Sequence, residues 1–252
     1  MQRQHADGSY SLTCGGTVIS YRGRVGVLTG AHCVTDDLTA AALPTEQIRL
    51  AVGSTAIDTG RIITVTSIAV PDGWDWGAPG PDGHVDQVND WAVLLPSNPR
   101  GLHPITITGL AEATRLRLLG WGSTTVSGQG PLPRRLQQLD GNTIVDPSNC
   151  AGAFISTGEI CVKSPEGAGP CYGDSGTAAL TRAHGQWALR GSGSRIVNLS
   201  CGTGNSVYTD AWYFHTEIAQ MLAGTHPRRR TTTLTATTSN RNLWPAFPDP
   251  AT

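Results

Sequence analysis

The sequence predicts an all-β protein, either a barrel or a sandwich, that ends in one helix. Short apolar or alternating runs recur along the chain and are split by glycine- and proline-rich turns, which is typical of both architectures. The 252 residues include 31 glycines and 16 prolines, so turns should be frequent and long helices scarce. The one persuasive helix covers residues 211–222, where Trp212, Ile218 and Leu222 can share an apolar face and Gly224 ends the helix.

The predicted strands combine β-branched and other apolar residues, and turn residues separate them. In the first half of the chain they cover residues 17–20, 24–29, 48–52, 61–70 and 91–95. After a linker-like stretch at residues 96–104, further strands are predicted at 114–121, 136–145, 159–162, 177–180, 187–192 and 206–209. Residues 225–252 are rich in arginine, threonine and proline, which predicts a disordered tail.

The composition excludes two classes of partner. Charged residues make up 15% of the chain and the formal net charge is −1, which does not favour nucleic acid or an anionic membrane surface. The chain contains no run of about 18 apolar residues, so the sequence predicts no membrane span.

The cysteines indicate an oxidising compartment. Six of them lie at positions 14, 33, 150, 161, 171 and 201, with no Cys-x-x-Cys pair, which favours disulfides over zinc or redox chemistry. Six cysteines allow about 15 pairings, and the residues alone do not choose among them. We therefore expect a secreted protein, although Met1 does not open a basic and then apolar signal sequence.

The stretch at residues 169–177, Gly-Pro-Cys-Tyr-Gly-Asp-Ser-Gly-Thr, is the first candidate for chemistry. A serine between glycines suits a tight loop that presents bare backbone N–H groups. Acyl transfer needs a hydroxyl nucleophile beside donors for a developing oxyanion. Ser175 is therefore a candidate nucleophile, and the alternative interpretation is an ordinary surface turn.

Two further residues could complete a catalytic set. His32 lies in the Thr-Gly-Ala-His-Cys motif at residues 29–33, where the adjacent cysteine could fix its loop; otherwise a lone histidine is usually a structural or surface residue. Asp90 stands at the start of an apolar strand, where a buried carboxylate needs a partner and a histidine could provide one. Asp86 is the competing acid, but it lies in a polar loop where solvation explains it.

These motifs resemble the chymotrypsin/trypsin-like serine protease family, in a bacterial-type secreted form. His32, Asp90 and Ser175 occur in the family's order, which differs from that of subtilisins and α/β-hydrolases. Further similar stretches are Cys-Gly-Gly at 14–16, Gly-Trp-Gly at 120–122, Arg-Leu-Gln-Gln at 135–138 and Val-Tyr-Thr at 207–209. The resemblance covers roughly residues 1–224.

The resemblance implies two packed antiparallel β-barrels with the site in the cleft between them. Residues 1–112 would form the first barrel, with His32 and Asp90, and residues 113–224 the second barrel and the helix, with Ser175. It also implies that His32 is the general base, that Asp90 orients it, and that the N–H groups of Gly173 and Ser175 form the oxyanion hole.

Disulfides and a substrate pocket are implied in the same way. The implied disulfides are Cys14–Cys33, Cys150–Cys161 and Cys171–Cys201. The residues implied for the primary pocket are Gly169, Pro170, Ser194 and Ser206. None of these pocket residues can pair with a cation, so the resemblance implies cleavage after apolar residues, as in elastase or chymotrypsin, rather than after Arg or Lys.

Four departures from the family pattern carry expectations of their own. Thr177 stands where a second glycine is usual, and residues 195–200 replace the usual Trp-Gly pair, so the loop and the pocket wall should differ. The acidic calcium loop has no counterpart between residues 53 and 61, so we expect no metal and no other cofactor.

The Ile-Val-Gly-Gly start, whose freed amine pairs in the family with the equivalent of Asp174, is missing. We therefore expect Met1 to be an internal methionine taken as a start, and the chain as written to be inactive.

The sequence thus predicts a secreted, monomeric serine endopeptidase that acts on proteins or peptides. Neither nucleic acid nor a membrane is expected as a partner. One alternative is a catalytically inactive homologue that serves as a binding module, which Thr177 and the missing start favour. The other is a serine esterase that uses the same residues.

Overall fold

The computed structural model describes residues 1–37, 39–57, 59–77, 88–110, 114–153 and 155–225. The strands in these ranges are β1 Gln2–Gln4, β2 Tyr10–Leu12, β3 Thr17–Tyr21, β4 Arg24–Thr29, β5 Ile48–Val52, β6 Arg61–Ala69, β7 Ala92–Pro96, β8 Thr106–Ile107, β9 Arg115–Gly120, β10 Gln137–Val145, β11 Glu159–Lys163, β12 Ala178–Ala183, β13 Gln186–Ile196 and β14 Ser206–Asp210. One α-helix, α1, covers His215–Ala223, and 3₁₀ helices cover Thr45–Gln47 and Pro147–Ala153. Within the described ranges, no helix has the length and apolar character needed to cross a membrane.

The strands form two seven-stranded sheets, which confirms the predicted mostly-β fold class. The first sheet has the order β2-β1-β5-β6-β7-β4-β3, and the second has the order β12-β9-β10-β11-β14-β13-β8. In the second sheet β12 also pairs with β13, which closes six strands into a barrel. The pairings are antiparallel, except that β8 runs parallel to β13.

A shared core joins the two sheets beneath helix α1. Leu28 of the first sheet, Leu180 of the second and Leu222 of the helix belong to one buried cluster. Gly26 on β4 lets the helix approach closely, because a Cβ at this position would lie 2.5 Å from Cδ2 of Leu222. The helix at the end of the second half of the chain therefore packs on strands of the first sheet.

Helix α1 begins four residues later than the pattern predicts, at His215. The side chain of Asp210 accepts the backbone N–H of Trp212 at 3.0 Å and that of the next residue at 3.2 Å, which holds a turn before the helix. Trp212 therefore leaves the predicted apolar face; it is 44% exposed and stacks on the ring of His215 at 4.2 Å. Gly224 ends the helix as predicted, in the left-handed conformation with φ 70°.

Short strands and extended strand ends account for the other main differences from the sequence prediction. Strand β1 pairs with β2 and with β5, so residues 2–12 contribute to the first sheet. Strand β13 continues to Ile196, rather than ending at Ser192, because its last residue pairs with Ser206 of β14. The boundary predicted between residues 112 and 113 lies outside the described residues, as do Asp86 and the predicted tail beyond Thr225.

Three disulfides are formed, and they are the pairs that the resemblance implies. They join Cys14 to Cys33, Cys150 to Cys161 and Cys171 to Cys201, across 19, 11 and 30 residues. A disulfide that closes a loop of this size stabilises the folded protein by about 2–4 kcal/mol in the chain-entropy picture. The first bond fixes the turn that carries His32. The third bond includes Cys171, which lies four residues before Ser175.

Candidate active site

His32 and Asp90 are joined by two hydrogen bonds. His32 lies in the turn after β4 and Asp90 lies just before β7, and these strands pair with Thr29 opposite Ala92. Nδ1 of His32 is 2.8 Å from Oδ2 of Asp90, and the backbone N–H of His32 donates to Oδ1 at 3.0 Å. One carboxylate therefore fixes both the imidazole ring and the turn that carries it.

Asp90 is completely buried and also contacts the second sheet. Oγ of Ser194, on β13, donates to its Oδ2 at 2.6 Å, and Oγ1 of Thr209, on β14, donates to its carbonyl at 2.7 Å. Burial acts to raise the pKa of Asp90, but the charge of His32 and the hydrogen bonds from His32 and Ser194 outweigh it and hold the pKa below its ordinary value. Asp90 therefore stays ionised beside the imidazole.

Ser175 lies in the loop between β11 and β12, and that loop is tied to both sheets. The carbonyl of Ser175 accepts the N–H of Gly15 at 2.7 Å, and the N–H of Gly176 donates to the carbonyl of Gly193 at 2.7 Å. Oγ1 of Thr29, the last residue of β4, donates to the carbonyl of Gly15 at 2.8 Å. Gly15 thus links the candidate nucleophile to the strand that leads to His32.

The loops that carry Ser175 and His32 adjoin each other, but the two side chains share no hydrogen bond among the described residues. Nε2 of His32 instead lies 3.5 Å from Sγ of Cys33. The two loops are in contact, since a Cβ on Gly176 would lie 2.9 Å from the backbone nitrogen of Gly30. The structure therefore brings His32 and Asp90 together and holds Ser175 on the adjoining loop. Catalytic hydrogen bonds are often long before substrate binds.

The backbone N–H groups of Gly173 and Ser175 are available as donors. Neither group donates a hydrogen bond to another described residue. Gly173 has a positive φ of 96°, and a Cβ at this position would lie 3.1 Å from Cα of Gly122. Glycine is therefore required at the first of the two positions implied for the oxyanion hole.

Asp174 is a largely desolvated carboxylate without a cationic partner in the described part of the chain. Its oxygens accept the N–H groups of Gly122 at 2.7 Å and Cys171 at 3.0 Å. Burial raises the pKa of Asp174 to about 6, against the effect of these two hydrogen bonds. Gly120 and Gly122 make the room, because a Cβ on either would lie within 2.4 Å of the carboxylate group.

Thr177, a departure from the family pattern, is accommodated without disruption of the loop. Its side chain is 3% exposed, and its hydroxyl donates to the carbonyl of Asp174. Its methyl group occupies the space beside Gly15, where an added Cβ would lie 2.2 Å from it. The Cys-Gly-Gly stretch near the start of the chain thus compensates for a threonine at this position.

The residues implied for the substrate pocket fall into two pairs. Gly169 and Pro170 line a cavity of about 210 Å³ that also reaches Asp174. Ser194 and Ser206 are buried on β13 and β14 and do not line this cavity. Their hydroxyls are engaged elsewhere, that of Ser194 with Asp90 and that of Ser206 with the carbonyl of Val162 at 3.4 Å. None of these four residues carries a carboxylate.

One feature of the site was missed by the sequence prediction. Arg195, in the segment expected to remodel the pocket wall, forms a buried ion pair with Glu159 at 2.7 Å and also donates to Oγ of Ser194 at 3.1 Å. The sequence predicted that residues 195–200 depart from the family pattern, but it did not predict the ion pair between Arg195 and Glu159. An arginine and a glutamate separated by 36 residues carry no local pattern that would join them.

A possible metal-binding arrangement beside His32 is explained by a disulfide. One ligand atom each from Cys14, His32 and Cys33 lie within 4.8 Å of one another. Both sulfurs are bonded to each other. A disulfide sulfur is not the thiolate that metal binding needs, so the geometry reflects the bridge that fixes the turn.

Comparison with known proteins agrees with this geometry. Residues 1–218 match the sequence model of the family described as Trypsin. The chain belongs to the trypsin family. It is similar to serine protease SP24D of Anopheles gambiae, at 30% identity over 200 residues, which covers 77% of this chain and 65% of that protein. It is also similar to phenoloxidase-activating factor 1 of Holotrichia diomphalia, at 26% identity over 215 residues, which covers 76% of this chain and 56% of that protein.

These relatives correct one expectation. The predicted bacterial-type form is not supported, because both trypsin-family relatives come from insects. The matched region spans less than two thirds of the length of each relative.

Asp174 should make stability depend on pH. Its pKa is about 6 in the folded protein against an ordinary value of 3.8, so the folded state binds the proton more tightly than the unfolded state. The resulting stabilisation is complete below pH 3.8 and is lost as the pH rises through 6, a loss of about 3 kcal/mol. Between pH 4 and 7 the unfolding free energy of the wild type should therefore fall relative to that of Asp174→Asn, as measured by urea denaturation.

Asp140→Asn provides the control for this pH dependence. Asp140 is exposed, and hydrogen bonds from Arg117 lower its pKa, so its removal should not reproduce the effect. A wild type and Asp174→Asn variant with parallel pH profiles would contradict the assignment.

Proposed function

We propose that the protein is a serine endopeptidase in which Ser175 is the nucleophile, His32 the general base and Asp90 the residue that orients His32. The observation that carries the proposal is the 2.8 Å contact between Nδ1 of His32 and Oδ2 of the fully buried Asp90. An ionised carboxylate at this position holds the proton on Nδ1, which leaves Nε2 as the nitrogen that can accept one. Membership of the trypsin family supports the same roles.

The chemistry follows from these positions. Oγ of Ser175 attacks the carbonyl carbon of a peptide bond while its proton passes to Nε2 of His32. The C–N bond then breaks as His32 returns the proton to the departing amine, and water hydrolyses the ester left on Ser175 by the same route. Asp90 stabilises the imidazolium throughout without accepting its proton.

The N–H groups of Gly173 and Ser175 would stabilise the oxyanion. Both are without a hydrogen-bond partner among the described residues, which supports this role. Donors aimed at the developing charge act only in the transition state, and the loss of one typically costs about 3 kcal/mol in the barrier. The contact of His32 with Cys33 does not compete, because Nε2 carries no proton in this tautomer and the disulfide sulfur of Cys33 has none to donate.

Asp174 is proposed to receive a primary amine, as its equivalent does in the family. A desolvated carboxylate with two N–H donors, no cation among the described residues, and a cavity beside it supports this assignment. An ammonium group in that cavity would favour the ionised form of Asp174 and order the adjoining Gly173 and Ser175. Activity of the chain would then depend on occupation of this cavity.

Cleavage is expected after apolar residues. The position at the base of the implied pocket is Gly169, followed by Pro170, and neither can pair with a guanidinium or ammonium group; Asp174, which lines the same cavity, is assigned to the primary amine. A buried, unpaired cation costs several kcal/mol, whereas burial of a Leu- or Phe-sized side chain contributes about 1.5–3 kcal/mol. A panel of peptides that differ only in the residue on the acyl side of the scissile bond measures this preference. Faster cleavage after Arg or Lys than after Leu or Phe would contradict it.

Labelling with a fluorophosphonate tests the proposed function most directly. The reagent should attach covalently to Ser175 and to no other serine, and peptide mapping identifies the site. Absence of labelling, with the protein folded and a primary amine supplied for the cavity beside Asp174, would favour the alternative of an inactive binding module. Turnover of ester but not peptide substrates by a protein that labels would favour a serine esterase.

Substrates and location follow from the proposed activity. Proteins or peptides are the substrates, and the three disulfides support an extracellular location. Action as a monomer stays a prediction from the sequence.

A further inference from the structure

Arg195 and Glu159 form a buried, fully engaged ion pair beside the candidate active site. The guanidinium binds the carboxylate through two bonds, of 2.7 Å and 2.8 Å, and the two side chains are 11% and 1% exposed. The Nε of Arg195 donates to the carbonyl of Ala153 at 2.9 Å, and Glu159 accepts the N–H of Ser156 at 2.7 Å. Burial of two charges carries a desolvation cost that stability alone seldom explains.

The guanidinium also fixes the direction of the Ser194 hydroxyl. Nη1 of Arg195 donates to Oγ of Ser194 at 3.1 Å, and that oxygen lies 2.6 Å from Oδ2 of Asp90. A hydroxyl carries one proton, and arginine can only donate. The proton of Ser194 must therefore point at Asp90, and a single hydroxyl separates the cation from the carboxylate.

We propose that Arg195, held by Glu159, is a positioning residue that acts on Asp90 through the hydroxyl of Ser194 and sets how strongly Asp90 holds the proton on His32. The positive charge of Arg195 stabilises the carboxylate of Asp90 and disfavours protonation of His32 to the imidazolium. The negative charge of Glu159 partly offsets this effect. Arg195 is the member of the pair that contacts Ser194, so its effect dominates. The catalytic meaning of this role rests on the proposed function, but the contacts do not.

Other charged groups around the site stay constant in the test. Asp90 binds His32 directly, and Asp37 interacts electrostatically with His32 while Arg3 and Asp36 act on Asp37 in turn. None of the variants below alters these residues. A change seen in His32 therefore reports on the Arg195–Glu159 pair.

Two variants separate a charge effect from a packing effect. Glu159→Gln removes the compensating anion and leaves the cation, while the double variant Arg195→Met with Glu159→Gln removes both charges and leaves no buried charge unpaired. The first readout is the low-field proton resonance of the hydrogen between Nδ1 of His32 and Asp90, which needs no substrate. The second is the pH profile of kcat/KM on a peptide substrate.

The two variants should move both readouts in opposite directions. In Glu159→Gln the resonance should shift upfield, because Asp90 binds the proton less strongly, and the acid limb of the profile should move to lower pH by about one unit. In the double variant the resonance should shift downfield and the acid limb should move to higher pH by about half a unit. Arg195→Lys keeps the charge and should stay near the wild type in both readouts.

A second ion pair in the same sheet serves as the matched control. Arg117 also binds a carboxylate, that of Asp140, through two bonds of 2.7 Å, but on the surface. Asp140→Asn, alone and with Arg117→Met, should change neither readout.

Shifts in the same direction for both Glu159 variants, or no shift in either, would overturn the inference. If Glu159→Gln does not fold, the double variant must still lie downfield of Arg195→Lys. The expected resonance shifts in a folded protein that shows no turnover, even when a primary amine is supplied for the cavity beside Asp174, would support the inference and reject the proposed function.

Discussion

Replacement of Ser175 by alanine is expected to lower kcat on a peptide substrate by about a million-fold, and replacement of His32 by alanine should have an effect of the same order. The two residues act as one unit, because the serine is a weak nucleophile without the base and the base has no proton to accept without the serine. The double variant should therefore be no slower than either single variant. Rates of hydrolysis at saturating substrate, with an assay sensitive enough for the residual activity, measure this.

The fold should survive these replacements, which circular dichroism and thermal unfolding can check. Ser175 makes no side-chain hydrogen bond among the described residues, so its removal leaves no partner unsatisfied. Ser164→Ala is a matched control, since Ser164 begins the same loop and its buried hydroxyl has no partner in the part of the chain that the structure describes. It should retain full activity. A double variant much slower than both single variants would contradict the assignment of Ser175 and His32 to one unit.

Gly176→Ala is expected to destabilise the protein by at least about 3 kcal/mol. Gly176 has a positive φ of 72°, and a Cβ at this position would lie 2.3 Å from Oγ1 of Thr29 and 2.9 Å from the carbonyl oxygen of Gly15 and the nitrogen of Gly30. Two of these neighbours are backbone atoms, and Gly30 belongs to the turn that leads to His32, so they cannot move aside cheaply. Urea denaturation measures the loss.

Gly185→Ala separates the steric cost from the conformational cost. Gly185 has nearly the same φ, 78°, but a Cβ there would meet nothing within 4 Å. Its replacement should cost only the left-handed conformation, about 1 kcal/mol. Equal losses for the two variants would show that the contact between the Ser175 and His32 loops is looser than described.

Much of the fold could be predicted from local patterns, and the exceptions have physical causes. Strands such as β4 and β7 are long enough and apolar enough to show their pattern directly. Strands β1, β2 and β8 have two or three residues each, too few for any periodicity. The start of α1 was misplaced because the Asp210 side chain competes for backbone N–H groups, which an apolar pattern does not reveal.

In the candidate site, too, some contacts follow from local patterns and others depend on the whole fold. His32 and Asp90 could be predicted because each stands at the end of a strand, and the pairing of β4 with β7 brings those ends together. The pair of Arg195 and Glu159 could not, because it spans β13, β14 and β11 and depends on their registers. The fit of Thr177 against Gly15 likewise joins residues far apart in the sequence and needs the folded structure.

The core beneath helix α1 has a consequence for how the protein unfolds. Leu28, Leu180 and Leu222 come from the first sheet, the second sheet and the helix, so each half of the chain needs the other to bury part of its apolar surface. The two halves should therefore lose structure in one cooperative transition, as a single domain does, despite their separate sheets. A disturbance at either sheet is then felt at the candidate active site as a change in the population of the whole native state.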